Sequence, residues 1–258
     1  MSEYDIIPFP RGREIVVDAG YLGAGRHIIH GLVEVDVSRA RALIGERAAD
    51  TGQKLSFTAF IAACLGRAIA ANPRVQAYRD WRGRLVIFHE VDVVTMIEPA
   101  AGVVAIPHII RGAQERGVAD ISAEIRSVQA RPASSGQNNR LMQRAPYLPR
   151  ALRMLAYWAI KKSPRRFKAL EGTVVITSVG MFGRGGGWGL GFLPMHTLGL
   201  TIGGIAQKPG LDDGRLVSRD ILHLTASFDH DIVDGAPAAR FTRRLVELLE
   251  NAQLLIDT

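Results

Sequence analysis

The sequence predicts a single α+β domain with a large mixed β-sheet. Runs typical of strands and runs typical of helices alternate through both halves of the 258 residues, and no Pro-, Gly- or Ser-rich linker separates the halves. Apolar residues make up 47% of the chain and charged residues 22%, which is the balance of an ordinary globular protein. We therefore expect residues 1–258 to form one domain.

The first elements follow from periodicity and capping residues. Residues 29–37, IHGLVEVDV, alternate apolar and polar side chains as a half-buried strand does. The run 38–52 has a helical pattern, with Ser38 as a candidate N-cap. A more apolar helix is predicted over 56–73, with Ser56 as its N-cap.

The middle of the chain predicts more sheet and a third helix. We expect one or two strands over 84–99, a further strand over 102–110 and an amphipathic helix over 117–131. A polar loop, 131–140, follows this helix.

A basic amphipathic segment occupies residues 145–168. Leu148, Leu152, Leu155 and Ala159 form one apolar stripe at helical spacing. The charge comes from Arg150, Arg153, Lys161, Lys162, Arg165, Arg166 and Lys168. We interpret the segment as a packed surface helix; contact with a membrane surface or an acidic partner is the alternative.

The C-terminal third alternates strands and turns before a long helix. The predicted elements are a strand over 171–180, a glycine-rich loop over 181–194, a strand over 196–209, two short β runs within 215–228 split by Arg219-Asp220, and a helix over 236–256.

Composition restricts the class of protein. The only cysteine, Cys64, lies in an apolar stretch, so no disulfide framework within one chain is expected and a reducing, cytoplasmic setting is favoured. No apolar run approaches the length of a membrane span, and the N-terminal residues do not resemble a signal peptide. The net charge of +7 permits an acidic protein, a phosphorylated substrate or nucleic acid as a partner. Nothing besides charge favours nucleic acid, which we consider an unlikely partner.

The turn SFDHDIVDG, residues 227–235, carries the candidate chemistry. His230 is expected at a strand end, and Asp234 is expected to N-cap the following helix. A neutral imidazole held there can take a proton from a thiol or a hydroxyl and return it. Alternatively, His230 is a surface-turn residue and Asp229, Asp231 and Asp234 serve the turn and the cap. The other histidines lack the spacing of metal ligands.

Several segments resemble, in the same order, the dihydrolipoamide acyltransferase subunits of 2-oxoacid dehydrogenase complexes. SFDHDIVDGAPAARF is similar to the family's SFDHRVVDGAPAARF, and GTVVITSVGMFG is similar to GTFTISNLGMFG. The resemblance runs from about residue 13 and fails over about 132–168, where this chain has a longer basic insertion. It implies the two-layer fold of chloramphenicol acetyltransferase, a large mixed sheet flanked by helices.

The resemblance also implies roles for four residues. His230 matches the general base that deprotonates a coenzyme A or dihydrolipoyl thiol. Thr177 aligns with the serine whose hydroxyl donates to the oxyanion, and Ser178 is the neighbouring alternative. Asp234 matches a residue that shapes the site through hydrogen bonds or an ion pair.

Two departures from the family bear on these roles. Asp231 stands where the family usually has arginine. For Asp234, Arg13 or Arg26 is a possible cationic partner.

The family's unit is a trimer with active sites between subunits, and some members build larger shells of trimers. Coenzyme A is then a substrate. The sequence contains no lipoyl domain, subunit-binding domain or Ala/Pro linker, so the resemblance implies a lipoyl group supplied in trans, on another chain, with dehydrogenase subunits as partners. Two alternatives stay open: a coenzyme A-dependent acyltransferase that uses a small-molecule hydroxyl or amine, and a non-catalytic trimeric scaffold.

Overall fold

The computed structural model describes residues 3–98, 106–132, 135, 144–179 and 185–256. Part of the predicted strand 102–110, most of the polar loop 131–140 and the start of the glycine-rich loop, with Arg184, lie outside the described residues. Among the described helices, none is both long and apolar enough to cross a bilayer.

A mixed six-stranded sheet forms one layer, in the spatial order β1-β8-β7-β6-β4-β5. Strand β6 is parallel to β4 and β7, and the remaining pairs are antiparallel. Strands β2 and β3 form a separate hairpin. The strands are β1 (Ile28–Asp36), β2 (Tyr78–Arg79), β3 (Leu85–Val86), β4 (Val93–Ile97), β5 (Ile106–Ile110), β6 (Val174–Ser178), β7 (Leu198–Asp212) and β8 (Arg215–Asp229).

Helices flank the sheet. They are α1 (Glu14–Gly23), α2 (Ser38–Thr51), α3 (Phe57–Ala70), α4 (Val118–Ala130), α5 (Arg150–Lys161), α6 (Pro164–Glu171), α7 (Gly235–Asn251) and α8 (Gln253–Ile256). Helices α3, α4 and α7 pack together over one face of the sheet. The predicted α+β class with a large mixed sheet is confirmed.

Strand alternation decides which face is covered. On β6, Val174 and Ile176 point into the core, whereas Val175 and Thr177 point to the opposite face. We call this second side the open face of the sheet. On β8, alternate apolar residues through Phe228 likewise face the helices.

The predicted split of β8 and the predicted cap of α2 are wrong. Arg219 and Asp220 do not split β8, because the strand continues its pairing with β7 and both charges find partners, Asp36 and Arg41. Ser38 does not cap α2; its hydroxyl instead accepts from the amide of Asp220 at 2.8 Å.

The basic segment forms packed surface helices, α5 and α6, as predicted, but the leucine stripe does not make the contact: Leu148, Leu152 and Leu155 are 43%, 51% and 58% exposed. Arg153 is the buried residue of α5, because the carboxylates of Asp18 and Glu14 on α1 accept from its guanidinium at 2.5 and 3.1 Å. Tyr157 and Ile160 of the same helix pack against a small buried cluster.

Candidate active site

His230 directly follows β8, at the predicted position. Its backbone amide donates to the carbonyl of His27 at 2.7 Å, and the amide of Asp229 donates to the carbonyl of Thr197 at 2.9 Å. The imidazole is 44% exposed. The main chain thus holds this residue from two neighbouring segments while the ring stays accessible.

A buried ion pair lies beneath the turn. Asp229 is 3% exposed, and its carboxylate lies 3.4 Å from the guanidinium of Arg26. The same carboxylate accepts from the amide of Asp231 at 3.1 Å. Arg26 also donates to the carbonyls of His196 and Met195, at 2.6 and 2.7 Å. Asp229 therefore links the turn to β1 and to the segment before β7.

Sequence reasoning missed this role of Asp229. Arg26 was expected as a partner of Asp234, but the structure pairs it with Asp229. Among the described ion pairs, none joins Arg13 to Asp234 either. In the register of β1 and β8, Ile28 pairs with Asp229, which places Arg26 beside the turn. The sequence of either segment alone does not predict this register.

Asp234 precedes α7, as expected of an N-cap residue, but its carboxylate makes no cap hydrogen bond. Its Oδ1 lies 3.8 Å from Nδ1 of His230, which is beyond hydrogen-bonding distance. The side chain is 85% exposed. In one isolated chain, Asp234 is therefore near the imidazole without orienting it.

Asp231 turns away from His230. Its carboxylate lies 2.8 Å from Nδ1 of His27, an exposed pair that raises the pKa of the His27 imidazole through the hydrogen bond and the charge. The anion that replaces the family's arginine therefore has its own partner.

The two candidate hydroxyls differ in direction. Thr177 is half-buried on the open face, whereas Ser178 ends β6, is exposed, and alternates to the other side. Among the described hydrogen bonds, none uses the Thr177 hydroxyl. Gly191 brings the glycine-rich loop against this position, since a Cβ there would lie 3.0 Å from Cγ2 of Thr177.

Thr177 and His230 are far apart in one chain. Thr177 pairs with Thr201 on β7, which pairs with Thr225 on β8, and His230 lies further along β8. The strand rise and spacing put the two Cα atoms about 15–20 Å apart. The structure does not bring the candidate base and donor together within one chain.

Thr177 lines a cavity of about 360 Å³ on the open face, which we call the Thr177 cavity. Its walls come from α1, α5, the end of α6, β4, β5, β6 and the segment 192–196. Burial raises the pKa of Glu171 in this cavity to about 7 and that of Tyr157 to about 12. Burial lowers the pKa of His196, also at its wall, to about 4. A larger cavity of about 790 Å³ lies between β1 and α7 and includes neither Thr177 nor His230.

Trp188 in the glycine-rich loop and the cation Lys208 have packing or ion-pair partners. Trp188 packs edge-on against His223 with ring centroids 4.3 Å apart, and its indole donates to the carbonyl of Val33. Lys208 pairs with Glu34 at 2.6 Å. Within the described part of the chain, no group of three or more His, Cys, Asp or Glu side chains is arranged to hold a metal.

The family model for the 2-oxoacid dehydrogenases acyltransferase catalytic domain matches residues 29–143 and 148–256. The dihydrolipoyllysine-residue acetyltransferase component of the pyruvate dehydrogenase complex of Staphylococcus epidermidis is 26% identical over 231 residues. That match covers 86% of this chain and 46% of the relative, so the chain spans about half the length of the curated relatives it matches.

Solved structures show the same fold. The cubic core of the pyruvate dehydrogenase multienzyme complex superposes with a TM-score of 0.72 at 19% identity, covering 98% of this chain and 94% of that one. Azotobacter vinelandii dihydrolipoamide acetyltransferase gives 0.73 at 19% identity with the same coverage. Chloramphenicol acetyltransferase gives 0.54 at 15% identity, covering 96% and 99%. The expected chloramphenicol acetyltransferase-like fold is confirmed.

Proposed function

The chain belongs to the 2-oxoacid dehydrogenase acyltransferase family, by its catalytic domain, and we propose that it moves an acyl group between coenzyme A and a dihydrolipoyl thiol. The observation that carries the proposal is the placement of His230, whose main chain is held by His27 while its imidazole stays half-exposed. A lipoyl group carried on a partner domain supplies the dihydrolipoyl thiol. The relatives' components of pyruvate dehydrogenase complexes make dehydrogenase subunits the proposed partners.

His230 acts as the general base. Its neutral imidazole removes the proton of the attacking thiol, and the thiolate forms a bond to the thioester carbonyl carbon. The tetrahedral oxyanion then collapses, the original carbon–sulfur bond breaks, and the imidazolium returns the proton to the leaving thiolate. Such proton transfer typically contributes about 10²–10⁴-fold to the rate.

Thr177 is the favoured donor to the oxyanion. Its hydroxyl lies on the open face beside a cavity and has no partner among the described hydrogen bonds, whereas Ser178 alternates to the other side of the strand. One preorganised donor of this kind is worth about 3–4 kcal/mol. Asp234, near the imidazole at 3.8 Å, is placed to form an ion pair once His230 is protonated.

The site is assembled from two copies of the chain. Thr177 and His230 of one chain are about 15–20 Å apart by strand geometry, too far to act on one carbonyl. A neighbouring copy that presents its open face to His230 supplies the missing hydroxyl. A homotrimer, in which each interface is of the same head-to-tail type, closes this arrangement and gives every chain one partner on each side.

We also propose that the enzyme works in the cytoplasm. The thiol of Cys64 is buried within α3, and burial raises its pKa, so it is an inert packing group in a chain that needs no disulfide.

The test is transfer from acetyl-CoA to free dihydrolipoamide, with released coenzyme A measured by liquid chromatography. We expect His230→Ala to lower kcat by about 10²–10⁴-fold. His89→Ala, at an exposed histidine distant in sequence from the turn, is the matched control and retains wild-type activity. An unchanged rate in His230→Ala contradicts the proposal. If dihydrolipoamide gives no activity but alcohols or amines are acylated, the result indicates the alternative in which a hydroxyl or an amine is the acceptor.

A further inference from the structure

We propose that the Thr177 cavity receives the carbon chain of the transferred acyl group, and that this chain is apolar and longer than acetyl. The inference rests on the proposed function, because it assigns the Thr177 hydroxyl to the thioester oxygen. It goes further by naming the substrate class, which the acetyltransferase relatives do not imply for this chain.

The position of Thr177 sets the direction of the acyl chain. If its hydroxyl donates to the carbonyl oxygen, the carbonyl carbon lies within about 4 Å of it, since the donor–acceptor distance is about 2.8 Å. The rest of the acyl group must then enter space adjacent to Thr177. The cavity provides that space, because Thr177 itself forms part of its wall.

The wall is mainly apolar. Its side chains include Ile15, Val16, Ala19, Met96, Val175 and Phe192.

Several of these side chains are left uncovered in the chain alone. Val16 and Met96 are each 45% exposed and Phe192 is 60% exposed. An apolar ligand that covers them removes apolar surface from water on both sides of the contact. The cavity therefore favours a hydrocarbon chain over a charged or strongly hydrated one.

The polar groups at the wall carry little fixed charge. Tyr157 is a neutral phenol, and the buried carboxyl of Glu171 is held partly protonated near neutral pH. A dicarboxylic acyl chain would meet no cation among the cavity residues of this chain that the structure describes.

The volume accommodates more than an acetyl group. About 360 Å³ lies at the lower end of the ~300–1,000 Å³ typical of small-molecule pockets. A chain of four to six carbons therefore fits better than the single methyl of an acetyl group.

The test compares acetyl-, butyryl- and hexanoyl-CoA as donors to dihydrolipoamide. We expect kcat/KM to rise about fourfold for each added methylene that the cavity buries. Ala19→Phe fills the cavity and is expected to lower the ratio of kcat/KM for hexanoyl-CoA to kcat/KM for acetyl-CoA by about 15-fold, the value of two methylenes. The matched control is Val17→Phe. Val17 lies two residues before Ala19 on the same helix, is exposed and does not line the cavity.

A binding measurement separates this inference from the proposed function. Dissociation constants of hexanoyl-CoA and acetyl-CoA are measured by calorimetry without an acceptor thiol. Tighter binding of hexanoyl-CoA that Ala19→Phe removes and Val17→Phe preserves supports the cavity, even if no transfer to dihydrolipoamide occurs and the proposed reaction fails. Equal affinities and equal kcat/KM across the series, or a series unaffected by Ala19→Phe, overturn the inference even if acetyl transfer is robust.

Discussion

Asp229 shows how a buried residue can fix the position of a candidate base beside it. Its buried carboxylate forms an ion pair with the Arg26 guanidinium and accepts a hydrogen bond from the amide of Asp231. These two contacts connect the His230 turn to the segment that leads into β1. A buried pair of this kind contributes little net stability, but removing one partner leaves an uncompensated buried charge.

We therefore expect Asp229→Asn to lower the free energy of unfolding by about 3 kcal/mol, measured by urea denaturation. The same variant should lower kcat at conditions where the protein is fully folded, because the turn loses its anchor. Asp231→Asn, one turn residue away in an exposed pair with His27, is the control and should change stability little. Equal effects of the two substitutions would contradict the special role of the buried carboxylate.

Glu171 makes stability depend on pH. Its pKa is raised by burial from an ordinary 4.5 to about 7, so the folded protein binds its proton more tightly than the unfolded chain does. The associated stability is fully present below about pH 4.5 and is lost as pH rises to about 7. The lowered pKa of the neighbouring His196 has the opposite effect on stability, because protonation at low pH places a positive charge on a buried imidazole. Tyr157, whose pKa is raised to about 12, stays neutral throughout this range.

The Glu171 contribution is isolated with Glu171→Gln. We expect the wild type to lose about 3 kcal/mol relative to the variant between about pH 4.5 and about pH 8, measured as the difference in free energy of unfolding. Taking the difference between the two proteins cancels the His196 contribution. A difference that stays constant with pH would show that Glu171 titrates normally.

At the scale of elements, α5 is held to α1 by charge. Arg153 faces inward onto Asp18 and Glu14, and Arg150 stacks over Tyr21 with its guanidinium carbon 3.9 Å from the ring centroid. Asp18 is completely buried. The position of α5, and with it the Tyr157 side of the Thr177 cavity, thus depends on one ion-pair cluster.

Arg153→Met is expected to lower the urea midpoint, because the buried carboxylate of Asp18 loses its principal cation. The double variant Asp18→Leu/Arg153→Met should recover much of that loss, since it replaces both charges with apolar groups. Arg166→Met, at an exposed position of α6, serves as the control. A double variant no more stable than Arg153→Met would show that packing around Arg153, and not its charge, holds the helix.

At the scale of the whole molecule, the separation of Thr177 from His230 leads to the proposed site between two copies of the chain. The half-exposed imidazole directly follows β8, whereas Thr177 lies on β6, two strands away in the sheet. A site formed within one chain and a site formed between chains predict different behaviour in mixed oligomers.

Coexpression of His230→Ala with Thr177→Val distinguishes them. Each variant alone should be nearly inactive, whereas randomly mixed trimers should recover about a quarter of wild-type activity, because a site needs an intact histidine and an intact threonine from different chains. Native mass spectrometry verifies that mixed trimers form. Mixed trimers without activity would place both residues of each site in one chain.

Local features were predictable from the sequence. The strand alternation of residues 29–37, the cap of α3 by Ser56, the apolar face of α7 and the position of His230 after a strand all depend on neighbours within a few residues. The family motifs lie in these same local segments, so the sequence alone is enough to predict the fold.

The arrangement of the site required the tertiary structure. Three features depend on segments that are distant in the sequence. They are the pairing of Arg26 with Asp229, the burial of Arg153 instead of the leucines on α5, and the long distance between Thr177 and His230. Periodicity predicts which side chains share one face of an element. It does not predict which charged residue from another segment packs against that face. The sequence by itself determined most of the elements and the candidate base. Only the fold decided their partners, because ion pairs and strand register are set by contacts between segments that lie far apart in the sequence.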